Sequence, residues 1–313
     1  MTNKLRRTFM NKMLALSLLL ATILSVGCGP SGFREPITKF QTSSAVVIAS
    51  TRLYVTELNQ VERDHYVNSQ LSKRAQIKLD ELEAVQVFSH DGLKARLDAL
   101  AQLASYGDLL SKLANSDAPE RAKSEAKNLG DSLKNLSTTV SGLSGANDTA
   151  FKAAVGPVSA IVGEVINFVL QQKIKEALNK AINEGESPIN NLIAVIRNDI
   201  AVAYERKRNS LSDMRVILVD EYNAEMLKGA SADSEKLRVF AERIREHENR
   251  WEVFASANPE EGLDAMAKAH SALVTYAKSG QKATNLASLV SAMEDFAARA
   301  KIIGQAVQEL REI

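Results

Sequence analysis

Apolar residues recur along most of this chain at spacings of three, four and seven, the mark of helices that bury one face. Ile37, Phe40, Val47, Tyr54, Leu58 and Val61 form the first such stripe, and Leu71, Ala75, Leu79 and Leu82 resume it. Residues 36–89 contain no glycine and no proline after Pro36, so the pattern predicts one helix of up to about 80 Å at 1.5 Å per residue. Pro36 suits its first turn, and Gly29-Pro30-Ser31-Gly32 before it suits a short tether. His90-Asp91-Gly92 breaks the pattern, and Asp91 is placed to cap a helix carrying Leu93, Leu97, Leu100, Leu103, Leu110 and Leu113. Ser116-Asp117-Ala118-Pro119-Glu120 is a second stop and restart, and Ser141 to Asp148 is the clearest loop. Further helices are expected over 150–183, from 189 to about 228, over 234–255, and from 259 to Ser279-Gly280, with 185–188 read as a turn.

The last segment is the most regular. Leu286, Leu289, Met293, Phe296, Ala300, Ile303, Val307 and Leu310 alternate spacings of three and four without a miss. That is a heptad seam, and it has two readings: a face packed inside the chain's own bundle, or a contact with a partner chain. Nowhere does strict polar–apolar alternation run long enough to require a strand. The expected fold is therefore all-α, an elongated antiparallel bundle of long amphipathic helices spanning 36–313, with a candidate sub-bundle boundary near 142–149. A helical solenoid ranks second because no fixed internal period is visible.

Composition agrees with helix. Aromatics are only 5% of the 313 residues, while hydrophobic residues make up 45% and charged residues 25%. Lysine and arginine number 39 against 38 acidic residues, a net charge of +1. Without Lys4, Arg6, Arg7 and Lys12 the remainder carries 35 against 38, a net charge of −3. No basic excess is left to hold a nucleic acid, and Arg206-Lys207-Arg208 is short enough to be a solvated helix face.

Those four cations precede the apolar run MLALSLLLATILSV at 13–26, about 14 residues where a membrane span needs roughly 20. A basic start followed by a short apolar core is the form of an export signal. It ends in Leu24-Ser25-Val26-Gly27-Cys28, and Cys28 is the only cysteine in the chain. This ending resembles the lipobox of bacterial lipoproteins. The resemblance covers residues 1–28 and departs from the commonest pattern only in Ser25, where leucine is most usual. It implies cleavage between Gly27 and Cys28, acylation of the Cys28 thiol, and a tether over 28–35. It also implies a cell-envelope location, anchored to the membrane through the N-terminal lipid. Gly29 after the cysteine, rather than aspartate, resembles the outer-membrane sorting pattern of Gram-negative cells. With one cysteine, no disulfide forms within the chain.

Catalytic chemistry is not legible. His65, His90, His247 and His270 have no partners at metal-ligand spacing, and Ser144 lacks the nucleophile-elbow pattern. No phosphate-binding glycine loop is present, and no cofactor is expected. The unusual segment is 153–170, AAVGPVSAIVGEVINFVL, with Glu164 its single charge. Its bland reading is a buried bundle helix. The sharper reading is a lipid-contacting element using Val158, Ile161, Val162, Val165 and Phe168. The expectation is a non-catalytic, membrane-anchored scaffold that binds another envelope protein, with the 286–310 seam as a candidate partner surface and lipid binding through 153–170 as the alternative.

Overall fold

Nine α-helices and one short 3-10 turn make up the computed structural model, which describes residues 31–312 apart from 116–118, 144–145, 172, 257 and 281; the described residues contain no strand. The helices are α1 (Ser31–Lys73), α2 (Leu79–Ala84), α3 (His90–Ala114), α4 (Pro119–Ser141), α5 (Ala146–Leu170), α6 (Ile174–Met226), α7 (Ser234–Ser256), α8 (Pro259–Lys278) and α9 (Ala283–Glu312). The fold is an all-α helical bundle.

Two long helices set the frame. α1 has 43 residues and α6 has 53, about 65 Å and 80 Å at 1.5 Å per residue. They run parallel: Tyr54 stacks on Tyr204, and further along Glu62 pairs with Arg206. α3 returns antiparallel to α1, bringing Gly107 against Gln41 and Phe88 against Asn59. α4 and α5 form a hairpin laid on α3 and α6, tied by Lys112–Glu125 and Lys180–Glu164. α7 and α8 follow one another antiparallel to α6, with Arg243–Glu221 along α7 and Arg197–Glu260 and Lys278–Glu186 along α8. α9 then rises beside α1, where Phe40 meets Phe296 and Val46 meets Gly304.

One core runs the length of the bundle. It joins Phe33, Phe40 and Val47 of α1 to Leu103 and Leu110 of α3, Val140 of α4, Phe151 and Val162 of α5, Ile189 and Ile196 of α6, Leu273 of α8 and Phe296 of α9. Because Val140, Leu143 and Phe151 all belong to it, the core is continuous across 142–149.

Three expected boundaries move. The helix over 36–89 stops at Lys73, where Arg74 takes a left-handed conformation (φ 52°). Had it continued, Phe88 would lie about 44 Å from Asn59 along the axis; instead the chain turns so that Phe88 touches Asn59, and Leu71 and Leu79 are 74% and 69% exposed. The first helix also begins at Ser31, inside the expected tether. Gly185 and Pro188 do not turn the chain, since α6 passes through both. A proline removes one backbone hydrogen bond. The buried run Ile182, Ile189, Leu192, Ile193 and Ile196 offsets that loss at roughly 1.5–3 kcal/mol per side chain. Gly185 has a packing role: a Cβ there would lie 3.0 Å from the Tyr106 hydroxyl. The reversal falls instead after Leu170, the last residue of α5, where Lys173 N–H bonds Phe168 C=O at 2.9 Å.

Candidate functional site

Gly27 and Cys28 lie outside the described residues. The described chain starts three residues later, at one end of the bundle. There Gly32 sits against Tyr276 of α8, and Arg34 donates from Nε to the Ala114 carbonyl at the end of α3 (3.3 Å). The opposite end is the turn between α6 and α7. From Glu186, level with the end of α8, to Met226 is about 60 Å along α6.

That far end is an arm. Beyond the Arg206–Glu62 pair, Leu218 and Glu225 are the only buried residues on α6 among those described, and α7 lies along it as its partner. The stem of the arm is aromatic: Tyr204 and Phe254 stack at 4.6 Å, with Tyr54 and Trp251 beside them. Polar links hold the two helices together. His247 bonds the Leu211 carbonyl at 2.7 Å, Arg215 pairs with Glu248 at 2.7 Å, and Arg243 pairs with Glu221 at 3.0 Å. At the tip, Glu225 accepts from Asp233 N–H (2.9 Å) and Lys228 Nζ (2.6 Å). The Asp233 N–H and the Lys228 ammonium hold the Glu225 carboxyl below its usual range. The arm nonetheless leaves apolar side chains in water: Met214, Val216, Ile217, Val219, Met226, Leu227 and Val239 are all exposed, Leu227 by 88%. Apolar surface concentrated on one projection marks an interaction surface. The sequence held its signal in Val216-Ile217-Leu218-Val219, four apolar residues in a row that one helix cannot bury on one face.

The surfaces expected from the sequence lie elsewhere. In the 286–310 seam, Leu289, Met293, Phe296, Ile303 and Val307 are buried and Leu286 is partly buried, all packed in the chain's own core; the Leu310 side chain lies outside the described residues. The seam is thus filled by α1 and α8 and is not a free face for a partner. In 153–170, Val158, Val162 and Val165 are buried and Ile161 and Phe168 partly so, which turns the expected lipid-contacting side chains inward. Asp148–Leu170 is apolar enough to cross a membrane by length and composition. Its outward face, however, presents Gly156, Pro157, Gly163 and Asn167, with Glu164 paired to Lys180 at 2.6 Å.

Two buried polar centres lie inside the bundle. Arg96, 1% exposed, donates from Nε to Asp199 (2.7 Å) and from Nη1 to Asp148 (2.9 Å) and the Gly92 carbonyl (3.1 Å). Its guanidinium lies 3.9 Å above the Phe88 ring, a cation–π contact. Burial pushes the Asp199 carboxyl up more than the neighbouring Arg96 holds it down. In the second centre the Tyr106 hydroxyl lies 2.9 Å from both the Ala181 carbonyl and His270 Nε2. A carbonyl only accepts, so the tyrosine proton is assigned to Ala181 and the ring proton to His270 Nε2. Burial lowers the His270 pKa to about 4. Tyr106 and His270 are fully enclosed, and both centres tie helices together.

A surface depression of about 710 Å³ lies between α8 and α9. Glu261, Asp264 and Asp295 face Lys268 and Arg299 across it, and Arg299 bonds Glu261 at 2.6 Å while Asp264 bonds Arg197 at 2.8 Å. Two of its three carboxylates are thus paired with arginines. Among the described residues no three histidine, aspartate or glutamate side chains gather as metal ligands. Comparison with known proteins gives no matching family model, no matching curated protein and no matching solved structure.

Proposed function

We propose that this chain is a bacterial envelope lipoprotein, anchored at Cys28, whose helical rod is a non-catalytic scaffold that carries a binding arm away from the membrane. One observation supports this reading above others. The first described helix begins three residues after Cys28, and the exposed apolar arm lies at the other end of the bundle. An anchor at one end of a rigid rod holds the far end at a fixed height and a high effective concentration near its target. Two acyl chains on Cys28 give stable attachment where one gives only marginal binding. Gly29 suits delivery to the outer membrane in a Gram-negative envelope.

The reading is tested by intact mass and membrane partitioning of the wild type beside Cys28→Ala. The expected wild type lacks residues 1–27, carries acyl mass and follows the membrane, while Cys28→Ala does not. A wild type that is unacylated and soluble overturns the anchoring.

A further inference from the structure

The exposed side of α6 within the arm carries its own heptad pattern, independent of the buried 286–310 seam. Asn209, Ser212, Val216, Val219, Asn223 and Met226 follow at spacings of three and four, and all six are exposed. In heptad terms Asn209, Val216 and Asn223 take the first core position, and Ser212, Val219 and Met226 the second. Residues 211, 218, 222 and 225 point toward α7, about a third of a turn away, so the seam stays open with α7 in place.

The flanks decide what fits. Arg208 and Arg215 precede the first core positions, and Asp213 and Asp220 follow the second ones. In two parallel copies the residue before one core position meets the residue five further on in the other copy. Arg208 then faces Asp213 of the second copy, and Arg215 faces Asp220, and symmetry repeats each pair. An antiparallel pairing would set arginine against arginine and aspartate against aspartate. Asparagine at the first core position is the residue that specifies register and pairing at a cost in stability. Arg208 is paired along its own helix with Glu205 (2.5 Å) and is 48% exposed, while Arg215, 59% exposed, is paired with Glu248 of α7 (2.7 Å) and turns from that pair to meet Asp220 of the second copy.

We infer that α6 pairs in parallel with α6 of a second copy of this chain through Val216, Val219, Asn223 and Met226, flanked by Arg208–Asp213 and Arg215–Asp220 bridges between copies. The parallel direction suits two copies anchored in one membrane, the one point at which this inference rests on the proposed anchoring. The helices are folded before they meet, so little ordering entropy is lost on pairing.

The test uses the full chain carrying Cys28→Ala in mild detergent, examined by sedimentation over a range of concentrations. The chain is expected to show a monomer–dimer equilibrium. Val216→Asp with Val219→Asp is expected to raise the dimer dissociation constant by about a hundred-fold or more, since two charges would be buried without partners. Charge variants give the decisive arm and leave the core positions alone. Asp213→Lys with Asp220→Lys, and separately Arg208→Glu with Arg215→Glu, are each expected to be monomeric. Mixed together they are expected to form a heterodimer, because both sets of bridges are then restored. A chain that stays monomeric at every concentration overturns the inference. So does a dimer indifferent to the Val216 and Val219 changes, or a mixture that does not pair. Because the tested chain lacks Cys28, these outcomes are separate from the mass and partitioning result that decides the anchoring.

Discussion

Asn59 holds Phe88 at both of its backbone groups: Nδ2 donates to the Phe88 carbonyl at 2.7 Å, and Oδ1 accepts from the Phe88 N–H at 3.0 Å. The two residues are 29 apart in sequence and both are buried. This clamp fixes the point where the chain returns from α2 to α3 and places the Phe88 ring against Arg96. Asn59→Ala removes both partners and strands a buried donor and acceptor. It is expected to lower unfolding stability by about 2–4 kcal/mol, read from urea denaturation. Asn59→Asp keeps the acceptor but loses the donor and adds charge, and is expected to cost at least as much.

Arg96 with Asp148 and Asp199 ties α3, α5 and α6 together. Arg96→Met leaves two carboxylates facing one another with no cation between them, one of them largely buried, and is expected to cost about 3–5 kcal/mol in the same measurement. Replacing all three with apolar residues of similar volume is expected to recover most of that loss, because the charges' desolvation is then removed along with their attraction. A triple variant no more stable than Arg96→Met would mean that the cluster's geometry, not its charge balance, carries the stability.

His270 makes stability depend on pH. In the unfolded chain it takes a proton near 6.5, while in the fold burial holds its pKa to about 4. Between those values the unfolded state binds more protons, so this group's contribution is present above about pH 6.5 and is lost as pH falls toward 4. The whole loss is about 3 kcal/mol, and below pH 4 it grows no further. Glu186, the charge acting on the ring, opposes the shift without overcoming burial. Unfolding free energies measured from pH 7 to 4 are expected to fall along this slope, and His270→Leu is expected to flatten it, whatever its effect on absolute stability.

Two glycines on outwardly similar helices are expected to respond in opposite ways. A Cβ on Gly262 would lie 2.7 Å from Ile303 and 3.0 Å from Val47, both buried, where α8, α9 and α1 meet most closely. Gly262→Ala is therefore expected to destabilise by about 1–3 kcal/mol. A Cβ on Gly163, on the open side of α5, would meet nothing within 4 Å. Gly163→Ala is expected to stabilise by up to about 1 kcal/mol through helix propensity alone. Thermal melting of both variants checks the pair.

The run of helices was legible because it rests on local spacing. Apolar positions three and four apart name α7, α8 and α9 to within about three residues; the break at 90–92 falls in the first turn of α3, which Ser89 and not Asp91 caps, and α4 ends at Ser141 where the expected loop begins. The candidate sites were less legible. A heptad stripe shows that a face is buried and says nothing of what covers it, so the 286–310 seam favoured the chain's own bundle but left a partner chain open until α1 and α8 were seen to fill it.

By itself, then, the sequence determined helix type and the polarity of each face, because those depend on neighbours within a turn. Tertiary structure decided what lies far apart along the chain. Arg96 meets Asp148 and Asp199 across 52 and 103 residues. α1 ends at Lys73 because Phe88 must come back to Asn59, and α6 runs unbroken through Pro188 because packing outweighs one lost hydrogen bond. Only the packed bundle distinguishes the α6 face left uncovered at the arm from the similar stripe on α9, since burial is a property of what the rest of the chain brings alongside.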